Sequence, residues 1–312
     1  MQVVHIRYPV NTAMLKSVCP SVVALGFFDG VHLGHQDLLK ETRELAKPLN
    51  ALPGIMTFEP HPREVLGHGG PFQYVTPLKE KLCQMEHYGM DIAYVVHFNH
   101  EFAAVSPRGF VEEVLIPLQI KGAVVGFDYT FGHKAAGKAE DLKRLGEGKM
   151  EVRIVKPVNV QGDTVSSTRL RKALQQGDVQ TAARFLGRPY RIDGVVEHGA
   201  GRGKQIGFPT ANIRLTAPYI IPRTGVYAVK VEWRGKTYDG AMSIGFNPTF
   251  EDDRQSVSVE VYLLDFSENL YGETIYVSFS RFLRPEQKFA TVDELIEQIH
   301  EDIRQIREMT SF

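Results

Sequence analysis

Two histidines stand three residues apart just after a short apolar run near the beginning of the sequence. The run Val22–Leu25 predicts a buried strand, and the ten residues from Gly26 to His35 read Gly-Phe-Phe-Asp-Gly-Val-His-Leu-Gly-His before a helical pattern begins. Glycines allow a ligand to approach the backbone closely, a helix start attracts anions, and two imidazoles on one helical face can donate to phosphate oxygens. The segment therefore predicts a phosphate-binding turn. Two surface histidines beside an ordinary turn are the alternative, whereas zinc is disfavoured because no third ligand has a matching spacing.

Three further polar motifs follow predicted strands in the first half of the chain. They are Thr57–Pro62, Gly126–Gly132 and Ser166–Arg171. Strands that alternate with helices predict a parallel sheet covered on both faces, and ligands bind beyond the carboxyl ends of such strands. We therefore expect these motifs to meet the first one at a single edge of the sheet. For the serines and threonine of the third motif, an ordinary helix cap is the alternative to an anion cradle.

The period of the hydrophobic pattern changes near residue 187. Before it, the pattern predicts strands over 22–25, 54–58, 92–96, 123–126 and 151–155, with helices over 38–46, 77–88, 107–118, 140–145, 167–175 and 179–185. Beyond it, alternation predicts strands over 191–197, 226–232, 258–264 and 275–279, followed by one helix that begins at the capping box Thr291–Glu294. The fold class is therefore α/β followed by all-β. A doubly wound parallel-sheet domain is expected over residues 1–186, and an antiparallel β-barrel (or a sandwich) with a C-terminal helix over 187–312.

A second glycine-rich segment, His198–Gly207, carries basic residues and leads into Pro209-Thr210-Ala211-Asn212. It is not a Walker A loop, because Gln205 stands where that motif needs serine or threonine. Taken alone, the segment is compatible with a phosphate-binding loop and equally with a mobile loop.

The composition excludes several classes of protein. The 312 residues are 43% hydrophobic and 23% charged, with a formal net charge of −1, so neither disorder nor a global basic field for nucleic acid is expected. The two cysteines form no C-x-x-C pair, and neither a secretory signal nor an apolar stretch of membrane-spanning length is evident. The sequence predicts a cytoplasmic protein without nucleic-acid or membrane partners.

The motifs resemble those of one family in order along both halves. The segment 26–35 resembles the nucleotidyltransferase signature, and with the other three motifs it is similar to the adenylyltransferase module of the bifunctional bacterial riboflavin kinase/FAD synthetase family. The segment 209–212 resembles the Pro-Thr-Ala-Asn motif of riboflavin kinases. Four later segments continue the resemblance, which spans roughly residues 15–310: Gly245–Phe250, Val259–Phe266, Leu270–Gly272 and Phe282–Phe289.

The resemblance implies a set of site residues in the first domain. Those implied to bind ATP are Gly26, Phe28, Asp29, Gly30, His32, Gly34, His35, Ser166, Ser167, Thr168 and Arg171. His32, His35 and Arg171 would stabilise charge during catalysis, and His61, Pro62 and Asp128 would bind FMN. One segment departs from the family pattern: His133–Lys138 lacks the usual arginine, for which His133 or Lys134 could substitute.

For the second domain, the resemblance implies a kinase site. The residues implied to bind ATP are Gly201, Gly203, Lys204, Gly207, Pro209, Thr210 and Asn212, and those implied to bind flavin are Arg284, Glu286 and Phe289. Thr210 and Asn212 would hold Mg²⁺, and Glu260 would be the general base. A solvent-facing strand residue is the alternative reading of Glu260.

The implied function is the synthesis of flavin cofactors. The second domain would phosphorylate riboflavin with MgATP to give FMN, and the first would transfer AMP from ATP to FMN, which gives FAD and pyrophosphate. A chain that keeps only one activity, or a regulatory protein that senses flavin or nucleotide, is the alternative. The expected partners are small-molecule substrates, and the oligomeric state stays open between a monomer and a weak homo-oligomer.

Overall fold

The chain divides into two compact units. The computed structural model describes residues 1–11, 18–67, 72–199, 201–247 and 256–310, and it separates Met1–Ser167 (the first unit) from Thr168–Phe312 (the second unit). The two helices between residues 167 and 186 are thereby grouped with the second unit. The boundary of the functional domains near residue 187 stays a prediction.

The first unit is built on a parallel sheet. Its strands are β1 Gln2–Ile6, β2 Ser21–Leu25, β3 Leu52–Glu59, β4 Ile92–His97, β5 Ile120–Gly126, β6 Thr130–Phe131, β7 Gly137–Lys138, β8 Glu151–Val155, β9 Asn159–Val160 and β10 Asp163–Thr164. Within the described residues, six of these strands pair in the order β1-β4-β3-β2-β5-β8, all in parallel, and two short antiparallel pairs join β6 to β7 and β9 to β10. The expected parallel sheet is confirmed.

Helices cover both faces of this sheet. They are α1 Leu33–Ala46, α2 Pro62–Val65, α3 Leu78–His87, α4 His100–Ala103, α5 Pro107–Gly109 and α6 Ala139–Gly146, with a π-helical segment Phe110–Leu115 and a 3₁₀ turn His133–Ala135. Strand β2 is buried along its whole length because alternate residues enter different cores: Val22 and Ala24 join one cluster, Val23 and Leu25 the other. A central strand of this kind has its carboxyl end framed by helices on both sides, which is where a ligand site is expected.

Two predicted helix starts differ in their outcome. Ser106 caps α5 as expected, and its hydroxyl accepts the Gly109 N–H at 3.0 Å. The second predicted helix, over 77–88, follows Thr76, a residue type that commonly caps helices, but α3 begins one residue later than expected and has no side-chain cap. The Thr76 N–H instead donates to Asp29 Oδ1 at 3.0 Å, so this segment is fastened to the glycine-rich turn.

The second unit is a closed antiparallel barrel, and the sandwich alternative is wrong. Its elements are α7 Ser167–Gln175, which begins at the division between the units, α8 Val179–Leu186, β11 Tyr190–Glu197, α9 Arg202–Gln205, β12 Ala211–Leu215, β13 Gly225–Trp233, β14 Lys236–Asn247, β15 Ser256–Leu263, β16 Thr274–Arg284 and α10 Val292–Thr310. The strand order is β11-β12-β15-β14-β13-β16, and β16 pairs with β11 to close the ring.

The C-terminal helix α10 is fixed to the barrel by an apolar cluster and one ion pair. Ile306 packs with Ala228 and Leu264. Two nitrogens of the Arg284 guanidinium donate to the Asp302 carboxylate at 2.8 to 3.1 Å, and these side chains are only 14% and 4% exposed. A buried bidentate pair of this kind holds the helix in one register.

Asp302→Ala should destabilise the barrel strongly. The substitution leaves the Arg284 guanidinium buried without its carboxylate, and we expect the free energy of unfolding to fall by about 3–5 kcal/mol. Urea denaturation followed by the fluorescence of Trp233, the single tryptophan, reports the second unit. Glu301→Ala breaks an exposed pair with Arg304 on the same helix and should leave the midpoint nearly unchanged. Equal shifts in the two variants would contradict the prediction.

Candidate active sites

The glycine-rich turn (residues 26–32) joins β2 to α1 in an unusual backbone conformation. Phe28 and Val31 have positive φ angles of 58° and 46°, although neither is a glycine, and both are buried. Such angles cost energy and persist where the surrounding structure holds them, typically at ligand-binding turns. Gly30, also at positive φ, lies between them. The turn is thus a rigid backbone platform directly before a helix N-terminus.

The two predicted histidines lie together on this platform. Their rings stack with centroids 3.6 Å apart, and His32 caps α1 because its Nδ1 accepts the His35 N–H at 3.3 Å. A neutral His32 therefore carries its proton on Nε2. The ring of His32 also lies 3.3 Å from the point where a side chain on Gly34 would begin, so the turn is closely packed.

His35 is partly buried beside apolar and cationic groups. Burial, and then the neighbouring His32 and Lys81, hold the pKa of His35 well below its ordinary value of 6.5. Its Nδ1 is buried without a hydrogen-bond partner among the described residues, and its ring packs edge-to-face with that of Phe28, with the ring centroids 5.2 Å apart. His35 is therefore a neutral imidazole at neutral pH, able to donate one hydrogen bond.

Asp29 holds the surroundings of the turn together. Its carboxylate accepts the Val75 and Thr76 N–H groups at 2.9 and 3.0 Å, and its carbonyl accepts the Ser167 hydroxyl at 3.1 Å. The first residue of α7 is thus brought to the turn, as the sequence predicts for this motif. The placement of Thr168 and Arg171, in the second unit, at the same nucleotide stays a prediction.

His61 lies beside the turn, within a group of aromatic rings. It stacks on Phe72 at 3.7 Å and meets Phe27 of the turn edge-on at 4.1 Å. Its Nδ1 accepts the Arg63 N–H at 3.0 Å, so the imidazole caps α2. The two motifs are therefore adjacent, as the sheet argument predicts.

A cavity of about 770 Å³ opens at the carboxyl ends of β3, β4 and β5. Its lining is mainly apolar and rich in aromatic rings, with further polar side chains at residues 100, 130, 133 and 134: Phe58, Phe98, Phe102, Phe110, Tyr129, Phe131, His100, Thr130, His133 and Lys134. Pro62 lines it as well, but Asp128, although predicted to bind the same ligand, is exposed and is not among the lining residues. His133 and Lys134, of the segment that departs from the family pattern, thus face this cavity.

Lys81 is a residue of this region that the sequence reasoning did not single out. It lies on α3 with no exposed surface, and its ammonium donates to the Phe27 carbonyl at 2.7 Å. A lysine on an amphipathic helix is ordinarily solvent-exposed, so no sequence signal indicated its burial.

In the second unit, Glu260 and Thr210 meet across neighbouring strands. Strand β15 pairs with β12 so that Glu260 stands opposite Asn212, and the Thr210 hydroxyl donates to Glu260 Oε2 at 2.9 Å. The Ser258 hydroxyl donates to the other carboxylate oxygen at 3.1 Å. The predicted base and the predicted metal ligands therefore lie in one cluster, and Ser258 is an additional member.

The backbone just after β11 lies against the Asn212 side-chain amide. A side chain on Gly199 would begin 1.9 Å from Asn212 Nδ2, so only glycine allows this approach. Beside the cluster, a cavity of about 320 Å³ is lined by Lys204, Pro209 and Thr210 together with residues 266–271 of the β15–β16 connection. Tyr271 of that connection stacks on His198 at 3.7 Å, and neither was predicted as a site residue.

The other residues predicted for the kinase site lie in several different parts of this unit. Gly201 and Gly207, both at positive φ, flank the short helix α9, in which Gly203 lies. Arg284 is held by Asp302, as described above, and its guanidinium lies 5.8 Å from the Phe289 ring. Glu286 approaches Gly245 closely. Flavin contacts by Arg284, Glu286 and Phe289 stay predictions.

Within the described ranges, no group of three or more histidine, cysteine, aspartate or glutamate side chains could hold a metal ion. No helix of the described part of the chain is both long and apolar enough to cross a bilayer.

The two units together define a two-domain nucleotide-dependent transferase. The family model for FAD synthetase matches residues 15–169, and the model for riboflavin kinase matches residues 186–310. Curated relatives named bifunctional riboflavin kinase/FMN adenylyltransferase include one from Listeria monocytogenes, 43% identical over 98% of both chains, and one from Bacillus subtilis, 42% identical over 97% of this chain and 96% of its own. The chain belongs to the bifunctional riboflavin kinase/FMN adenylyltransferase family, and the expected pair of activities is confirmed.

A solved structure shares the fold over nearly the whole chain. It is the crystal structure of a Streptococcus pneumoniae protein described as a macrolide-efflux protein, 34% identical, with a TM-score of 0.87 over 97% of this chain and 99% of that one. The description applies to that protein.

Proposed function

We propose that the two activities are divided between the units, with riboflavin phosphorylation in the barrel and FMN adenylylation at the edge of the parallel sheet. The observation that carries this division is that each unit has its own cluster of reactive side chains. His32 and His35 lie on a helix N-terminus in the first unit, and Thr210, Ser258 and Glu260 lie together in the second. Each cluster offers the groups that one of the two reactions needs.

For adenylyl transfer, the glycine-rich turn binds the phosphates of ATP. A phosphate oxygen of FMN attacks the α-phosphorus in line, the bond from that phosphorus to the bridging oxygen breaks, and pyrophosphate leaves with the bonding electrons. The imidazoles of His32 and His35 donate to the oxygens on which charge increases, and Ser166 and Ser167 add hydroxyl donors beside the turn. The family resemblance assigns Thr168 and Arg171 to ATP binding as well. The residues placed around the turn have no nucleophilic role, so no covalent intermediate is required.

The aromatic cavity of the first unit binds the flavin of FMN. A volume of about 770 Å³ lies within the ordinary range for sites that enclose small ligands. Planar rings such as Phe58, Phe98 and Tyr129 suit an isoalloxazine, while His61 and Pro62 lie between this cavity and the turn, where the FMN phosphate must be. Lys134 at the cavity wall supplies positive charge in place of the missing arginine.

For the kinase reaction, Glu260 is the general base. It takes the proton of the ribityl 5′-hydroxyl while that oxygen attacks the γ-phosphorus of ATP, and ADP leaves. The hydroxyls of Thr210 and Ser258 orient the carboxylate in advance. Lys204, Pro209 and Thr210 line the cavity that takes the nucleotide.

The oxygen donors beside Glu260 fit Mg²⁺. Thr210 supplies a hydroxyl, Asn212 supplies an amide oxygen, and the Asn212 amide is packed against the bare backbone of Gly199. Mg²⁺ takes oxygen ligands and is usually held by few protein groups together with substrate phosphates. When bound, it neutralises charge on the phosphates of ATP.

The formal net charge of the chain is −1, and we place both reactions in the cytoplasm, without a nucleic-acid or membrane partner.

Asn212→Ala tests this division. We expect the variant to lose FMN formation from riboflavin and to retain FAD formation from supplied FMN, because only the barrel loses a metal ligand. Chromatographic separation of riboflavin, FMN and FAD after incubation with MgATP measures both steps. Lys236→Ala, an exposed residue at the start of β14 and outside the nucleotide cavity, is the control for a general disturbance of the barrel and should leave FMN formation near the parent level. Loss of both activities in a folded Asn212→Ala protein would overturn the division.

A further inference from the structure

Lys81 is a fully buried cation in the first unit, and its contacts converge on a single residue of the glycine-rich turn. Its Nζ donates to the Phe27 carbonyl at 2.7 Å and lies 3.9 Å from the centre of the Phe27 ring. The Thr57 hydroxyl donates to the same carbonyl at 3.0 Å and lies 3.4 Å from Nζ. Phe27 is therefore held through both its backbone and its ring by side chains from α3 and β3.

Burying the charged side chain of a lysine at this position lowers the stability of the folded state. Burial lowers the pKa of Lys81 to about 8, although the carboxylates of Asp29 and Glu59 raise it in part. Glu59 is itself half-buried, and one of its carboxylate oxygens has no partner among the described residues. A methionine of similar length would fill the same space without removing a charge from water. The packing of the unit alone therefore does not account for a cation here.

Phe27 lies between the places proposed for the two substrates. Its backbone belongs to the turn proposed to hold ATP, and its ring contacts His61 at 4.1 Å on the side proposed for FMN. A shift of Phe27 would thus change the position of one substrate relative to the other, while each could still bind. Misplacement by about 1 Å is enough to cost roughly 10²-fold in rate.

We propose that Lys81 is a positioning residue for adenylyl transfer: its ammonium fixes Phe27, and through Phe27 it aligns the FMN phosphate with the α-phosphorus of ATP. This inference rests on the proposed function of the glycine-rich turn. Lys81 touches neither substrate, since it has no exposed surface. Its removal therefore acts on the rate of the reaction more than on binding.

The test compares Lys81→Met with Lys79→Met, a control that removes an exposed lysine from the same helix. For Lys81→Met we expect kcat for FAD formation to fall about 10- to 100-fold, with KM for ATP and for FMN changed less than about 3-fold. Riboflavin phosphorylation by the same molecules should be unchanged, and Lys79→Met should match the parent chain in both reactions. An unchanged kcat, or a loss confined to KM, would overturn the inference.

Thr57→Val separates positioning from a general loss of structure. It removes the other donor to the Phe27 carbonyl at nearly constant volume, and kcat should fall about 3- to 10-fold with both KM values retained, the loss of roughly one hydrogen bond. Combined with Lys81→Met, its effect should be smaller than in the parent chain, because the two side chains act on one carbonyl. Independent effects would contradict the inference. If Lys81→Met does not fold, Thr57→Val decides by itself, and an unchanged kcat is then the negative result.

His35→Ala distinguishes this inference from the proposed function beneath it. Loss of FAD formation in His35→Ala, together with full activity in Lys81→Met, would reject the role of Lys81 alone. Retained activity in His35→Ala would reject the site itself.

Discussion

His35→Ala should lower the rate of FAD formation from FMN by about 10²- to 10³-fold, the usual cost of one lost donor to a developing negative charge. The imidazole stacks on His32 at 3.6 Å and lies at the N-terminus of α1. Since burial keeps the pKa of His35 well below 6.5, it acts as a neutral donor, and its own titration should affect the rate only under acidic conditions. The measurement is the initial rate of FAD and pyrophosphate formation at saturating ATP.

Riboflavin phosphorylation by the same variant is the internal control. The barrel is proposed to supply its own base and nucleotide cavity, so FMN should form from riboflavin at the parent rate. His5→Ala, which removes an exposed histidine from the edge strand β1, should leave both reactions unchanged. A folded His35→Ala protein that still makes FAD at the parent rate would show that the histidine pair is not the adenylyl-transfer site.

Glu260→Gln should reduce riboflavin phosphorylation by about 10²- to 10⁴-fold, the range in which a general base contributes. The amide keeps the size of the side chain and can still accept from the Thr210 hydroxyl, which now lies 2.9 Å from the carboxylate, but it cannot take up the proton of the attacking hydroxyl. FAD formation from supplied FMN should persist.

The matched control for this variant is Glu232→Gln. Glu232 is an exposed carboxylate on β13 that pairs with Arg191, so its loss changes the charge of the barrel by the same amount away from the cluster. Full kinase activity in Glu260→Gln would assign the base to another group. An equal loss in both variants would point to a charge effect on the barrel as a whole.

The sequence predicted the alternation of strands and helices well, because that pattern is local. Strand Glu151–Val155 and helix Ser167–Gln175 have the predicted bounds. Strand β14 was missed because glycines interrupt its alternation. Gly245 is one of them, and in the fold it lies close to Glu286, whose Oε1 is 2.3 Å from the point where a side chain would begin, a contact that is distant in sequence.

The candidate sites could be predicted from the sequence where their residues lie next to one another in a short motif. The turn, its histidines and the Thr210–Asn212 segment could be read from spacing and resemblance, and the structure brings the members of each together. Lys81 could not be found in this way, because only tertiary packing shows that its ammonium points inward, and Ser258 differs from other strand serines only in facing Glu260. The Asp302 carboxylate that holds Arg284 could not be found either, because the pattern predicts the C-terminal helix but not which of its charged side chains contacts the barrel.

Because the strands of the second unit form a closed ring, local unfolding of this unit should differ from that of the parallel sheet. A sheet with free margins can fray from its outermost strand, as β1 and β8 allow in the first unit. In the ring every described strand has two hydrogen-bonded neighbours, so its amide protons should exchange with solvent deuterium only when several strands separate together. The barrel should therefore show a uniform, slow exchange class, whereas protection in the parallel sheet should decline from the centre toward its margins.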